Sequence, residues 1–369
     1  MRNLAVFILT LFIILRGWAQ TTVAPVRVAV LLPFHTEKGS NDAFNQAMLD
    51  YWAGIQSAAN ELADNGINSE INLRNFTADS SFLCSVAGKL WLNQHDLVIG
   101  PVYPKQLADL DRGNPITKPW VSPLAPYAFK QASNGISMFA NDSLRLLGLC
   151  NEFSRCFPKH KIVIISPDKP KNAAQNAANR DRLKALLGDQ ATVHTWKTQS
   201  QTLTPYLPTG NDSFLFVYTD QFTTEAHSFL SKKALDTRNS YGIGAFDWLD
   251  AQEKSPLASE QKARMLYPSN VVLHFNDSTV SSISQRMALS EWGEPSKYAF
   301  IAYDQFQFLL GHYSANPSMN PFVYGPRNSS AIYQGAIQNI CLYPTGYGLG
   351  NAGIRLVRLE GEFQIPIVP

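Results

Sequence analysis

Cysteine is scarce: Cys84, Cys150, Cys156 and Cys341 are the only four in 369 residues. So few exclude a disulfide-stapled scaffold, and no C-x-x-C pair suggests a zinc or thioredoxin-like site. Cys150 and Cys156 are the closest pair, but on one continuous helix they face different ways, roughly 9 Å apart along the axis. A bridge between them requires the helix to end before Cys156. The seven histidines fall into no H-E-x-x-H or related metal spacing. G-x-S-x-G and the phosphate-binding P-loop are missing too, so no local motif marks a nucleophile or a phosphate cradle. Triads assemble from distant positions, so these absences lower the case for an enzyme without closing it. The expectation is a non-enzyme with no metal or cofactor.

Long apolar runs are lacking except at the start, where Arg2 precedes an apolar run from Leu4 to Leu15 and a small-x-small site at Gly17-Trp18-Ala19. About a dozen residues fall short of the roughly 20 that span a bilayer. They fit a secretory signal peptide over 1–19, cut after Ala19. The first cysteine is Cys84, so no lipidated cysteine follows the cut. The sequence thus predicts a periplasmic protein that is not a lipoprotein and has no membrane span after cleavage. Loss of Arg2 and Arg16 leaves 29 basic against 29 acidic residues. That balance argues against nucleic acid or anionic membrane as a partner.

What is present is alternation. "VRVAVLLPF" (Val26 to Phe34) is a continuous β-branched and aliphatic run, the pattern of a strand buried on both faces. Phe44, Met48, Trp52, Ile55, Ala59 and Leu62 then recur at helical spacing, with Asn41 or Asp42 to cap the helix and Gly66 to stop it. Strands follow at "EINLRNF", "DLVIG" and "PWVSPL", with helices over 81–93 and 105–111. The rhythm restarts with a helix over 142–157 and strands at "KIVIISP", "ATVHTW", "SFLFVYT", "YGIGAF" and "NVVLHF". Helices over 172–187, 221–234, 280–292 and 299–313 complete it, before a glycine-rich tail of two or three strands that ends in a hairpin at "RLEGEF". This order predicts parallel sheets with helices on both faces, and about 350 residues exceed one ordinary core, so two lobes are expected.

Gly348-Leu349-Gly350-Asn351-Ala352-Gly353 matches G-x-G-x-x-G, but a strand-like segment follows where a dinucleotide site needs a helix. It reads as a connection between strands. Asn141, Asn211 and Asn276 each open an Asn-Asp-Ser, a glycosylation sequon that in a bacterial protein serves as cap or turn. Candidate ligand residues come from the strand ends, because ligands of open parallel sheets lie beyond them. There Phe34, Tyr103, Tyr127 and Trp248 offer aromatic faces, and Ser122, Asp220 and Asp247 offer polar groups. Each carboxylate is equally suited to capping the helix that follows it.

The order of elements, with "RVAVLLPF", "YWAGIQSAANELADNGIN", "DLVIGPVYPKQL", "KPWVSPLAP", "KIVIISP" and "AFIAYDQFQFLLGHY", resembles the type I periplasmic binding protein fold of the leucine/isoleucine/valine-binding proteins. The phrases "VLLPF", "IGPVY" and "SPL" look most like a group of secreted Bacteroidetes proteins of this fold, often fused to LysM modules. No LysM module is visible, so the lobe pair alone is expected. The resemblance implies an α/β protein of two doubly wound parallel-sheet lobes, joined by three crossover segments and closing on a ligand by hinge motion. It places lobe I at 26–125 plus 277–334, lobe II at 140–270 plus 335–369, and crossovers near 124–139, 270–276 and 335–343. Carried over from amino-acid-binding members, it implies a ligand site of Gly100, Tyr103 and Ser122 in lobe I with Tyr218, Asp220 and Asp247 in lobe II. Ser122-Pro123-Leu124-Ala125 lacks a hydroxyl that the family carries there. The implied function is non-enzymatic binding of a small polar or amphipathic, amino-acid-like ligand, for transport or sensing, with a membrane transporter as partner. The alternative is a ligand-free protein of this fold that regulates or scaffolds cell-wall machinery, partnered by a cell-wall synthesis protein.

Overall fold

The opening strand shows how the sheet is built. In β1 (Val26–Leu32), Val28, Val30 and Leu32 enter one core while Ala29 and Leu31 enter another, so the run carries no polar alternation. The computed structural model describes residues 24–34, 43–76, 81–113, 116–197, 202–204, 212–235, 239–246, 248–251, 264–274, 276–289, 294–315, 332–345, 347–360 and 363–367. The expected signal peptide, the caps Asn41 and Asp42, Asn211 and the candidate Asp247 lie outside the described residues.

β1 pairs in parallel with β2 (Ser69–Asn75) and β3 (Leu97–Ile99), and β4 (Trp120–Ser122) and β5 (Gly135–Ser137) extend the sheet beyond β3. Helix α1 (Ala43–Asp64) buries Met48, Tyr51, Ile55 and Leu62, and Gly66 at φ +83° ends the chain's helical course. The single helix expected over 81–93 is two, α2 (Ser81–Cys84) and α3 (Val86–Asn93). Ser85 sits between them in extended conformation, and its hydroxyl accepts from Gly88 N at 3.1 Å, capping α3. Helix α4 (Pro104–Gly113) packs Leu107 and Leu110 into the core on the other face of the sheet from α1.

The second lobe repeats the scheme. Helix α5 (Asp142–Cys156) leads into β6 (Lys161–Pro167), whose Val163 and Ile165 face one core and Ile162 and Ile164 the other. Helix α6 (Ala173–Leu187), β7 (Ala191–Lys197), β8 (Thr202–Thr204), β9 (Phe214–Tyr218), α7 (Thr224–Leu235), β10 (Tyr241–Ile243), α8 (Trp248–Ala251) and β11 (Met265–Ser269) follow. The Asn-Asp-Ser segments act as caps: Asn141 accepts from Leu144 N at 3.0 Å, and Asp277 accepts from Thr279 N at 2.8 Å. Cys150 and Cys156 both lie on α5 and both are free thiols. The strand expected at "NVVLHF" is absent, and Val271 makes only an isolated bridge to Gln338. The strand lies earlier, at β11, where Pro268 reads as a breaker. Past Leu266, β11 pairs only with a late antiparallel strand, so the missing N–H of Pro268 has no second neighbour to serve.

The chain then returns to lobe I. Helix α9 (Ser278–Leu289) and α10 (Lys297–Ala315) pack against α1, with Phe300, Phe306, Leu309 and Leu310 fully buried. Each such side chain stabilises the fold by roughly 2 kcal/mol. A short hairpin, β12 (Tyr333–Gln334) and β13 (Asn339–Ile340), precedes β14 (Leu342–Thr345) and β15 (Gly348–Asn351), which join the first sheet beside β5. Only β16 (Arg355–Glu360) and β17 (Phe363–Pro366) belong to the second sheet. The orders are β14-β15-β5-β4-β3-β1-β2 and β17-β16-β11-β10-β9-β6-β7-β8. The protein is therefore two parallel-sheet α/β lobes with antiparallel strands at the sheet edges.

This topology corrects two of the expected crossovers. β5 is still part of the first sheet, so the first crossing is 138–141 rather than 124–139. β14 and β15 place 342–351 in lobe I, so the third crossing is 352–354 rather than 335–343. A glycine-rich tail gives no hydrophobic signal of which sheet it joins. The second crossing, between β11 and α9, contains the expected 270–276.

Candidate functional site

The first sheet reverses its order between β1 and β3, the second between β6 and β9. Such switch points leave crevices beyond the carboxyl ends of the strands. A cavity of about 850 Å³ lies there, between the lobes. Lobe I contributes Phe44 and Met48 of α1, Val102 and Tyr103 after β3, Leu124 after β4 and Ile301 of α10. Lobe II contributes Arg145 of α5, Phe246 after β10, Leu249 and Gln364. Phe139, Ser269, Asn270, Val271 and Leu273 line it from or beside the crossings. The Phe44 and Tyr103 rings stack at 5.5 Å, making one flat wall. The volume falls in the range of small-molecule sites, and the walls mix apolar side chains with Arg145, Ser269, Asn270, Lys297 and Gln364. A second recess of about 230 Å³ lies beyond β9 and β10, within lobe II, and shares Arg145 and Phe246 with the first.

Of the six residues carried over from the resemblance, Tyr103 lines the interlobe cavity. Gly100 does not. It is buried in the sheet at φ +95°, and a Cβ there would overlap the carbonyl oxygen of Leu31. Its N–H donates to Val121 O at 2.9 Å and its carbonyl accepts from Trp120 Nε1 at 2.7 Å, so the sheet itself requires the glycine. The helix after it starts at Pro104, one residue before the expected 105. Ser122 is fully buried, and its hydroxyl donates to Ala125 O at 2.8 Å, closing the turn after β4.

Tyr218 and Asp220 line the recess in lobe II rather than the space between the lobes. The Tyr218 ring packs against Trp196 and Trp248 at centroid distances of 6.0 and 5.3 Å, and burial pushes its phenol well above the usual range. Asp220 accepts from Lys171 N at 2.7 Å and so holds the loop before α6. Trp248 is fully buried, and its Nε1 donates to Asp220 O at 3.4 Å, so its face is spent on the core. Tyr127 donates to Asp111 at 3.2 Å, and burial with that carboxylate raises its phenol to about 12.

Sequence reading missed Arg145 and Lys297, the charged side chains that line the cavity among the described residues. Both stand in the opening turns of helices, where a lone cation carries no motif. It missed as well the polar side chains that gather beside the crossings. Asp304 of α10 accepts from Ala336 N, Ile337 N and Gln338 N at 2.7, 2.8 and 2.9 Å. Arg355, at the start of β16, donates to Asn339 Oδ1 at 3.0 Å and to Gly335 O at 2.6 Å. Gln338 Nε2 donates to Met138 O at 3.1 Å, which brings the first crossing into the same network.

No family model and no curated protein matches the sequence. Solved structures match its course. One is a protein from Rhodospirillum rubrum described as a candidate branched-chain amino acid ABC transporter, at TM-score 0.59 and 9% identity over 93% of this chain and 100% of that one. Another is the C-domain of LpoA from Haemophilus influenzae, a regulator of PBP1A, at TM-score 0.54 and 12% identity over 93% of this chain and 100% of the domain. The chain has the type I periplasmic binding protein fold. At such identities the likeness is one of fold, and the same fold is tied to amino acid transport in one neighbour's description and to regulation in the other's.

Proposed function

We propose that this chain is a non-enzymatic solute-binding protein that holds a small amphipathic molecule between its lobes, outside the cytoplasm, for delivery to a membrane transporter or for sensing. The observation that carries the reading is the interlobe cavity of about 850 Å³, walled from both lobes at the strand ends. The apolar run of residues 4–15 supports export, and among the described residues no helix is long and apolar enough to cross a membrane. A thermal-shift screen of amino acids, sugars, peptides and organic acids tests it, because a ligand of the folded state raises the melting temperature with its concentration. At least one class is expected to shift it in a saturable way. No shift with any class overturns the reading.

A second reading is favoured by one observation: Ser122, Tyr218 and Asp220 are all engaged inside their own lobes. That supports a protein of this fold that has given up an amino-acid ligand and regulates a cell-wall synthesis partner; the LpoA neighbour is described as a regulator of PBP1A. Saturable binding of a wall synthase together with no solute response is the outcome that selects it.

A further inference from the structure

The charged lining of the interlobe cavity, among the described residues, has one sign. Among the described residues Arg145 and Lys297 are its charged side chains, one from each lobe, and no carboxylate lines it. Ser269 and Asn270 are engaged with the crossing: Ser269 Oγ donates to Val271 O at 2.7 Å and Asn270 Nδ2 to Gly353 O at 3.3 Å. The two cations are poorly matched inside the protein. Arg145 Nη1 lies 3.7 Å from Asp142 Oδ1, in a pair whose side chains are 34% and 71% exposed. Such a pair is weak. Arg145 Nε is buried and has no hydrogen-bond partner among the described residues, which is costly unless an acceptor arrives. Lys297 pairs with no carboxylate among the described residues, and its Nζ sits 5.5 Å from the centroid of the Tyr298 ring.

Lys297 is also the first residue of α10, where a cation opposes the helix dipole unless an anion sits beside it. The first turns of α1 and α10 both line the cavity, through Ala43, Phe44, Lys297 and Tyr298, and neither carries an acid. Helix N-termini and cations here favour the same charge. The rest of the wall is mainly apolar, with Met48, Leu124, Phe139, Phe246, Leu273 and Ile301 around the space, and Gln364, Tyr103 and Tyr298 add neutral polar groups. A zwitterionic amino acid needs an acceptor for its ammonium group, and the described lining supplies no carboxylate for one.

We infer that the interlobe cavity takes an anionic amphiphile: an apolar body with a carboxylate or phosphate head held by Arg145 and Lys297, and no cationic group. Guanidinium suits both heads, since it offers parallel N–H donors to two oxygens. The inference rests on the solute-binding reading and narrows it.

Calorimetric titration below micelle-forming concentrations tests it, with decanoate and decyl phosphate as anionic probes and decan-1-ol, decylamine and L-leucine as controls. The anions are expected to bind with saturation, and each control at least about tenfold more weakly. The stronger of the two anions names the head group. Arg145→Gln and Lys297→Gln are each expected to weaken anion binding by about tenfold and leave decan-1-ol unchanged, which is the loss of one charge-assisted pair. Lys297 is exposed, so its variant folds even where Arg145→Gln proves unstable. Equal binding of decylamine or L-leucine, or unchanged anion affinity in Lys297→Gln, overturns the anionic assignment and leaves solute binding standing. No response to these probes, with a shift from some other class in the thermal screen, does the same. No response to any solute removes both.

Discussion

Asn351 Nδ2 donates to Met138 O at 3.1 Å, tying the strand that enters the third crossing to the residue that opens the first. The same side chain donates to Asn339 O at 3.1 Å and accepts from Cys341 N at 2.8 Å and Gly353 N at 2.7 Å. It is fully buried, so all four bonds are shielded from water. Two segments far apart in sequence thereby share one buried tie, the fulcrum about which a hinge motion between the lobes would turn.

Removing that side chain strands the buried N–H groups of Cys341 and Gly353, takes a donor from Asn339 O and leaves Met138 O with Gln338 Nε2. Asn351→Ala is expected to lower the unfolding free energy by about 2–4 kcal/mol, read from urea midpoints. Asn351→Asp keeps the acceptor but sets a buried carboxylate oxygen against the Met138 and Asn339 carbonyls, so it is expected to cost at least as much. Equal stability of Asn351→Ala and wild type contradicts a fulcrum at this residue.

Asp304, which holds the turn at 336–338, is expected to make stability depend on pH. Burial raises its carboxyl to about 6 from 3.8, against the opposing pull of three backbone N–H groups and the Arg355 charge. The folded chain therefore holds this proton more tightly than the unfolded chain does. The stability it contributes is fully present below 3.8 and lost as pH rises through about 6. Relative to Asp304→Asn, the wild type is expected to gain about 1 kcal/mol between pH 7 and pH 5, measured by urea unfolding at each pH. A difference that does not change with pH, or that changes in the opposite direction, places the carboxyl's titration elsewhere.

Much of the fold was legible because burial on both faces writes itself into a strand: "KIVIISP" is β6 from end to end. Capping chemistry was equally plain at Asn141. What failed were short strands whose place depends on distant partners. β5 is three residues inside a turn-rich passage, β11 contains Pro268, and β14 and β15 are rich in glycine and proline. The site was less legible. Strand ends located the cleft, but Ser122 and Asp220 have the same types whether they meet a ligand or hold a turn, and the structure puts them to the second use. Arg145 and Lys297 gain meaning only when the two lobes bring them to one cavity.

That distinction is testable at Asp220. Its carboxylate oxygen holds Lys171 N at 2.7 Å, joining the loop before α6 to the end of β9. Asp220→Ala is expected to cost about 1–2 kcal/mol of stability, with interlobe ligand affinity unchanged. A loss of affinity at wild-type stability would move Asp220 into the binding site.

Tyr103 is the opposite case. It lines the cavity with its ring stacked on Phe44 at 5.5 Å, and both rings are half-buried, so the pair offers a flat apolar wall to whatever enters. An aromatic face contributes to binding mainly through contact area. Tyr103→Ala is therefore expected to weaken a cleft ligand by about 5- to 30-fold, equivalent to roughly 1–2 kcal/mol. Tyr103→Phe keeps the face and is expected to retain most of the affinity, measured by the same calorimetry. Because Tyr103 borders the cavity rather than the deep core, the unliganded Tyr103→Ala protein is expected to melt within a few degrees of wild type, separating a wall of the site from a support of the fold.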